Sequence, residues 1–488
     1  MDDLRSLIKV MRVGEKRMLK HMLSRNTNSE ENQRWKLFRY IDKDGSVSED
    51  ELRAKFVKTS NSAFSHLKSR LKDDILSVLL VKESPKRIAQ ANRAAQFECM
   101  KKLAQAYVLI FRGAKQEGAS ILKSAKELAI KYELAAELVS INHLTREALY
   151  SFTDAKSLNK VNTSLRNDLQ LWNDILRSEE LSFYITLPQL KDEMAKTEDE
   201  EYEARIINEL KELYLKSNTA RIGFWYYMAD VENCVAEERF GDAIDLGLKF
   251  LELVENNPSV YSKNNIAGVN QTIGFAYLNY RNYVDASMHL ARSEKLFPNA
   301  GFNRLQCLQL LVHAETALGS YAQAMAYVEK AMAHPRIGSR EILVPRWLYN
   351  KSCIEFLSGD IDSSFKTLNK DGYLLKQQDE WNVQFRLLEM LQLVEMKDEE
   401  WLEFKIDATR KFLTRYKQLD TPRVRAAVDI IGNLLRKDLD FRLLSDKNKA
   451  LLNHCLEEDP GYKWNPAGAE LVRFDLWMKK KLPAQEVE

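Results

Sequence analysis

The chain has 488 residues, 30% of them charged, with Lys+Arg 73 against Asp+Glu 71, which is long enough for several domains or one extended array. Its 17 glycines and 10 prolines are about half the ordinary share, which argues against sandwiches and barrels, whose many short strands turn on those residues. Five dispersed cysteines (Cys99, Cys234, Cys307, Cys353, Cys455) without a CxxC indicate neither a disulfide framework nor structural zinc. No apolar run is long enough for a signal peptide or a membrane span, so a cytoplasmic, all-helical protein is expected.

Residues 1–85 read as a separate basic helical module. Leu4, Leu7, Ile8 and Met11 form one stripe, while Arg5, Lys9, Arg12, Lys16 and Lys20 form a basic one at helical spacing, and Val13-Gly14 interrupts the helix. A helix over 32–41 follows, then the turn Asp42-Lys43-Asp44-Gly45. Ser48 with Glu51 three residues on reads as a capping box, and a long helix covers about 62–80. The acidic stretch 42–51 tempts a calcium-loop assignment, but its sixth position is Val47 and its twelfth Arg53, so it reads as a turn. Residues 1–100 carry 21 Lys+Arg and 14 Asp+Glu. A capped helix, a turn and a basic helix (Lys68, Arg70, Lys72) follow helix-turn-helix order; the alternative to an ordinary solvated face is therefore a regulator whose N-terminal module binds the phosphates of DNA or RNA under control of the repeat array.

From residue 86 to 416 one pattern recurs: a large residue, two positions, then a small residue, opening an amphipathic helix. It appears at Phe240–Ala243, Tyr283–Ala286, Tyr321–Ala324 and Ile361–Ser364, with the small residues 43, 38 and 40 apart. Phe152–Ala155 fits upstream; Gly118-Ala119 and Trp401–Phe404 fit more weakly. Residues 181–204 break the period, with a loop at Leu187-Pro188 and a capping box over Thr197–Glu200. Helical runs over about 422–436, 446–457 and 466–481 form a C-terminal cap spanning 417–488, whose tail beyond Pro483 is expected to be disordered.

The copy over 267–298 carries Gly274, Tyr277, Ala286, Leu290 and Pro298 in register and resembles the tetratricopeptide repeat (TPR), although Asn270 stands at that motif's tryptophan position. Small residues at Gly274 and Ala286 suit a close helix crossing, and Pro298 ends the second helix. The opening segment of the chain also resembles uncharacterised TPR-type proteins of Bacteroidota, a likeness that implies no activity. The resemblance implies a right-handed α-solenoid of TPR-like hairpins, non-catalytic, binding a protein or peptide segment on its concave face. Carried over residue by residue, it places Gln271, Phe275, Asn279, Gln309, His313, Thr316, Arg346 and Tyr349 in that groove, a mixed amide and aromatic surface suited to an extended peptide. The Lys/Asn pattern of carboxylate-clamping members is absent there. The aromatic clusters Phe224–Tyr227 and Trp347–Tyr349 read mostly as core.

No nucleotide-binding glycine cluster, HExxH or GxSxG occurs, the histidines lack ligand spacing, and His454-Cys455 reads as chance adjacency rather than a nucleophile and base. No cofactor, metal or catalytic residue is therefore expected.

Overall fold

In a computed structural model, the described residues are 2–24, 33–43, 47–56, 61–83, 88, 90–149, 155–186 and 202–482. Among them every regular element is helical. The expected turn at 44–45, the pattern at 152–154, the loop and capping box within 187–200 and the tail beyond 483 lie outside the described residues. The chain divides into two compact units, residues 1–128 and 129–488.

The first unit opens with α1 (Asp2–Val10), α2 (Val13–Ser24), α3 (Gln33–Lys43) and α4 (Glu49–Phe56), which pack on α5 (Asn61–Lys82) or on one another. The apolar stripe of α1 faces inward through Leu4, Ile8 and Met11, meeting Phe64, Leu71, Ile75 and Val78 of α5. Ser48 and Glu51 form the expected reciprocal cap: the Glu51 amide donates to Ser48 Oγ at 3.2 Å and the Ser48 amide to Glu51 Oε2 at 3.3 Å. Next come α6 (Ala91–Phe111) and α7 (Lys115–Lys131), within which the division into units falls. A Cβ on Gly118 would lie 2.6 Å from Ile110 Cγ1, so the weak copy at 118 marks a true close crossing.

The second unit begins with α8 (Ala135–Leu149), the long α9 (Ala155–Thr186) and α10 (Tyr202–Ser217). Hairpins then follow: α11 (Ala220–Ala236) with α12 (Phe240–Asn256), α13 (Lys263–Asn279) with α14 (Tyr283–Leu296), α15 (Phe302–Ala317) with α16 (Tyr321–Met332), and α17 (Leu343–Leu357) with α18 (Ile361–Leu368). The series continues with α19 (Glu380–Met396) and α20 (Glu399–Arg415), then α21 (Pro422–Leu435) and α22 (Asp446–Glu457), and ends in α23 (Phe474–Lys481). Each helix packs on the next. The first helices of successive hairpins, hereafter A helices, also meet (α13 with α15, α17 with α19, α19 with α21), as TPR-like stacking requires.

The hairpin turns share one geometry. Glu238, Arg281, Gly319, Gly359 and Lys397 all take left-handed backbone (φ 56, 67, 74, 91 and 56°). The next residue's amide donates back five positions, as in Asn282 to the Tyr277 carbonyl at 3.0 Å and Asp360 to Glu355 at 3.0 Å. That same residue then caps the second helix: Asn282, Asp360 and Asp398 each accept from the amide three residues on.

Five residues past each left-handed position stand Ala243, Ala286, Ala324, Ser364 and Leu402, all 0% exposed. The last of these moves the sequence register. Leu402, not Phe404, continues the series, and Trp401 and Phe404 are exposed because they sit off the buried stripe. At the best copy a Cβ on Gly274 would lie 2.6 Å from Leu290 Cγ and 3.2 Å from the Ala286 carbonyl oxygen, so the crossing is as close as the spacing implies. Asn270, at the tryptophan position, is fully buried and pairs its Oδ1 with His289 Nδ1 at 2.9 Å, while Tyr277 stacks on the His289 ring.

The C-terminal helix is shorter than expected. Residues 459–473 form turns and bends punctuated by Gly461, Pro466 and Gly468, and only Phe474–Lys481 is helical.

Candidate functional site: the face of the A helices

The A helices of the first three hairpins leave an open groove of about 510 Å³. Its wall comprises Phe224, Met228 and Glu232 of α11, Gln271 and Phe275 of α13, and Leu310 of α15. These positions recur at i, i+4 and i+8 along α11 and at i, i+4 on α13, so each helix offers one stripe to the same channel. Gly268 lies in the same lining, where an added Cβ would meet nothing within 4 Å, leaving backbone exposed to whatever enters. Phe224 is held by edge contact with Phe250 at 5.1 Å. The groove is mainly apolar, with Glu232, Asn264, Asn265, Gln271 and Thr272 as its polar members; the Gln271 side chain makes no hydrogen bond among the described residues.

Further along, the chain's own C-terminal segment crosses the A-helix side. Tyr349 is buried and its hydroxyl donates to the Ala469 carbonyl at 3.0 Å. Arg423 of α21 forms a two-pronged pair with Glu470, Nε to Oε2 and Nη2 to Oε1, both 2.7 Å. Its Nη2 also reaches Asp475 at 3.0 Å, and Nη1 reaches the Tyr462 carbonyl at 3.1 Å. Trp477 Nε1 donates to Glu395 at 2.8 Å, and further ion pairs join Lys463 to Glu238 and Arg281 to Glu458. Trp464, Leu471, Val472, Phe474, Trp477 and Met478 are buried in the process.

The electrostatics of this seam follow from that burial. It pushes the Glu470 carboxyl above its usual range, with Arg423 working against the rise. At Asp475 burial acts upward too, but Arg473 and Arg423 outweigh it and hold the group below its usual value. Burial also raises the Tyr349 phenol well above its ordinary value, which suits a hydroxyl that only donates.

The eight residues carried over from the repeat frame therefore fall into different surroundings. Gln271 and Phe275 line the open groove. Asn279, one turn on, spends its Nδ2 on the Phe275 carbonyl at 2.9 Å. Gln309 links Asn350, which donates to its Oε1 at 2.7 Å, to His313 Nε2 at 2.9 Å. His313 and Thr316 are buried and line a different cavity, against the C-terminal segment. Arg346 lies 4.7 Å over the Trp381 ring and 3.4 Å from Asp379, and Tyr349 is the anchor for Ala469. The carried-over set missed Phe224 and Met228, because the aromatic and aliphatic residues of α11 read as core, and Leu310 of α15, which stands one residue off the frame. The same frame applied one hairpin earlier finds Met228 and Glu232.

The basic module gives the nucleic-acid alternative no support. Lys68 is paired with Glu49 and Lys72 with Asp3 at 3.4 Å, leaving Arg70 alone of the three exposed without an ion pair among the described residues. His454 is exposed and pairs with Asp459 at 2.6 Å, whereas Cys455 is fully buried, so the two point apart. Among the described residues no group of three His, Cys, Asp or Glu could hold a metal ion, and no helix is long and apolar enough to cross a membrane.

No family model matches the chain, and no curated protein matches it. Among solved structures it is similar to the Rap conjugation gene regulator of the plasmid pLS20 in complex with the Phr* peptide, at 11% identity and TM-score 0.39 over 78% of this chain and 95% of that one. It is also similar to a Rap protein complexed with competence and sporulation factor, at 14% identity and TM-score 0.38 over 79% of this chain and 98% of that one. Among its described residues the chain itself is all-α, built of paired helices.

Proposed function

We propose that the chain is a non-catalytic scaffold or adaptor that takes an extended protein or peptide segment along the A-helix face of its first three hairpins. One observation supports this above the others: side chains from α11, α13 and α15 line a single open groove. Packed helices lie about 10 Å apart, and an extended chain rises about 3.3 Å per residue, so the three A helices span roughly six residues of such a segment. Alternate side chains would enter the apolar channel of Phe224, Met228, Phe275 and Leu310, while the Gln271 amide pairs with a backbone group, which costs less than leaving that group unpaired.

The test uses the full chain as bait against a displayed library of random peptides. Selected peptides should lose at least tenfold in affinity when Met228→Ala and Phe275→Ala are combined, and about fivefold with Gln271→Ala. The triple exchange of Lys68, Arg70 and Lys72 to Ala should change nothing. Peptides that bind the Met228/Phe275 double variant as well as the parent would overturn the assignment.

A further inference from the structure

We propose that a second cavity, apart from that groove, binds a small amphiphilic anion: a flat or aliphatic apolar body carrying one carboxylate- or sulfonate-like group. The cavity holds about 630 Å³, within the range of small-molecule sites. Its walls come from three successive hairpin turns and from the C-terminal segment, so it exists only because that segment folds back. Aromatic rings of Tyr283, Tyr321, Phe356, Trp464 and Trp477 make the walls predominantly apolar, as a ligand's hydrophobic body requires.

Two polar side chains in the lining each keep one atom without a hydrogen bond of normal geometry. His313 and Thr316 stand at i and i+3 on one face of α15, both more than nine-tenths buried. The His313 tautomer follows from its neighbours. Asn350 donates to Gln309 Oε1, which leaves the Gln309 amide nitrogen facing His313 Nε2 as a donor, so the ring carries its proton on Nδ1. The Pro466 carbonyl lies near this ring, yet neither His313 Nδ1 nor Thr316 Oγ1 makes a hydrogen bond of normal geometry. Buried donors left in that state cost free energy that an entering acceptor recovers.

Charge selects the sign of the ligand. Arg473, Lys480 and Lys481 stand against Glu395 in the lining. Lys481 is paired with Glu395 at 2.7 Å and Arg473 with Asp475 and Glu458, whereas exposed Lys480 makes no ion pair among the described residues. Lys480 is thus the cation at the mouth available to an anionic head group, with the aromatic walls behind it.

The probe is 1-anilinonaphthalene-8-sulfonate, an aromatic body bearing a sulfonate, titrated by fluorescence against the full chain at low ionic strength. One equivalent should bind. Lys480→Glu, a surface exchange, should weaken binding at least fivefold, and Thr316→Val, which preserves shape, at least threefold. Uncharged N-phenyl-1-naphthylamine should be insensitive to Lys480→Glu. Phe275→Ala, which disturbs the open groove, should leave the sulfonate's affinity unchanged, so failure here and failure of the peptide groove are separable. The proposal is overturned if either Lys480→Glu or Thr316→Val leaves affinity within twofold of the parent, or if Phe275→Ala abolishes binding.

Discussion

The crossing of α13 and α14 permits a prediction in which one substitution changes sign with its background. A methyl group added at Gly274 would lie 2.6 Å from Leu290 Cγ, 2.9 Å from Leu290 Cδ2 and 3.2 Å from the Ala286 carbonyl oxygen. Leu290 is 0% exposed and has nowhere to swing, and the carbonyl belongs to a helix, so the two helices must part. Overpacking of this kind costs about 1–3 kcal/mol, against about 1 kcal/mol gained in helix propensity. Gly274→Ala should therefore destabilise by about 1 kcal/mol. Leu290→Ala alone should cost about 2–5 kcal/mol through its cavity. With Leu290 truncated, the carbons at 2.6 and 2.9 Å are gone and only the Ala286 carbonyl oxygen at 3.2 Å remains. The cavity lets the helices relieve that contact by a small shift, so Gly274→Ala should now stabilise by about 1 kcal/mol. The coupling is then about 2 kcal/mol, measurable by urea unfolding of the four proteins followed by far-UV circular dichroism. The same sign for Gly274→Ala in both backgrounds would refute the close-crossing account.

Two further predictions concern the C-terminal seam. Arg423→Met strands Glu470 in a buried setting, while Asp475 keeps Arg473, and should cost about 3–5 kcal/mol, with Arg423→Met/Glu470→Leu recovering at least half; a loss below about 1 kcal/mol in urea unfolding would show the pair to be incidental. Burial pushes His313 down to about 4, so the folded protein holds the ring neutral where the unfolded chain, near 6.5, takes up a proton. This stability is fully present above about pH 6.5 and is lost as pH falls towards 4, in total about 3 kcal/mol. Stability measured from pH 7 to 4.5 should fall less steeply in His313→Gln than in the parent, by about one proton; equal slopes would contradict it.

The array was legible because its constraints are local and recurrent. A small residue every 38 to 43 positions marks a crossing that admits no larger side chain, and Gly274, Ala286 and Leu290 carry that geometry in their identities. Leu402 escaped the pattern because a leucine at a loosened crossing does not look small. Of the eight groove residues that the repeat frame proposes, Gln271 and Phe275 share one open channel, whereas Tyr349 and His313 are taken up by contacts with the C-terminal segment. That fold-back left no trace to read. Its anchors pair residues 47 and 120 apart, Arg423 with Glu470 and Tyr349 with Ala469, and the latter through a backbone carbonyl that carries no side-chain signature.

The same fold-back alters what kind of object the array is. A solenoid whose units touch only their neighbours behaves as a one-dimensional chain that can fray from either end. Here residues 458–482 act as a tie rod, fastened at Glu238, Arg281, Tyr349, Glu395 and Arg423. Burying the six large side chains of that strut contributes on the order of 10 kcal/mol before ordering costs, so it is a permanent member of the frame. Damage to this strut would consequently be felt in the middle hairpins first, and stretching or heating should melt those hairpins together instead of one by one.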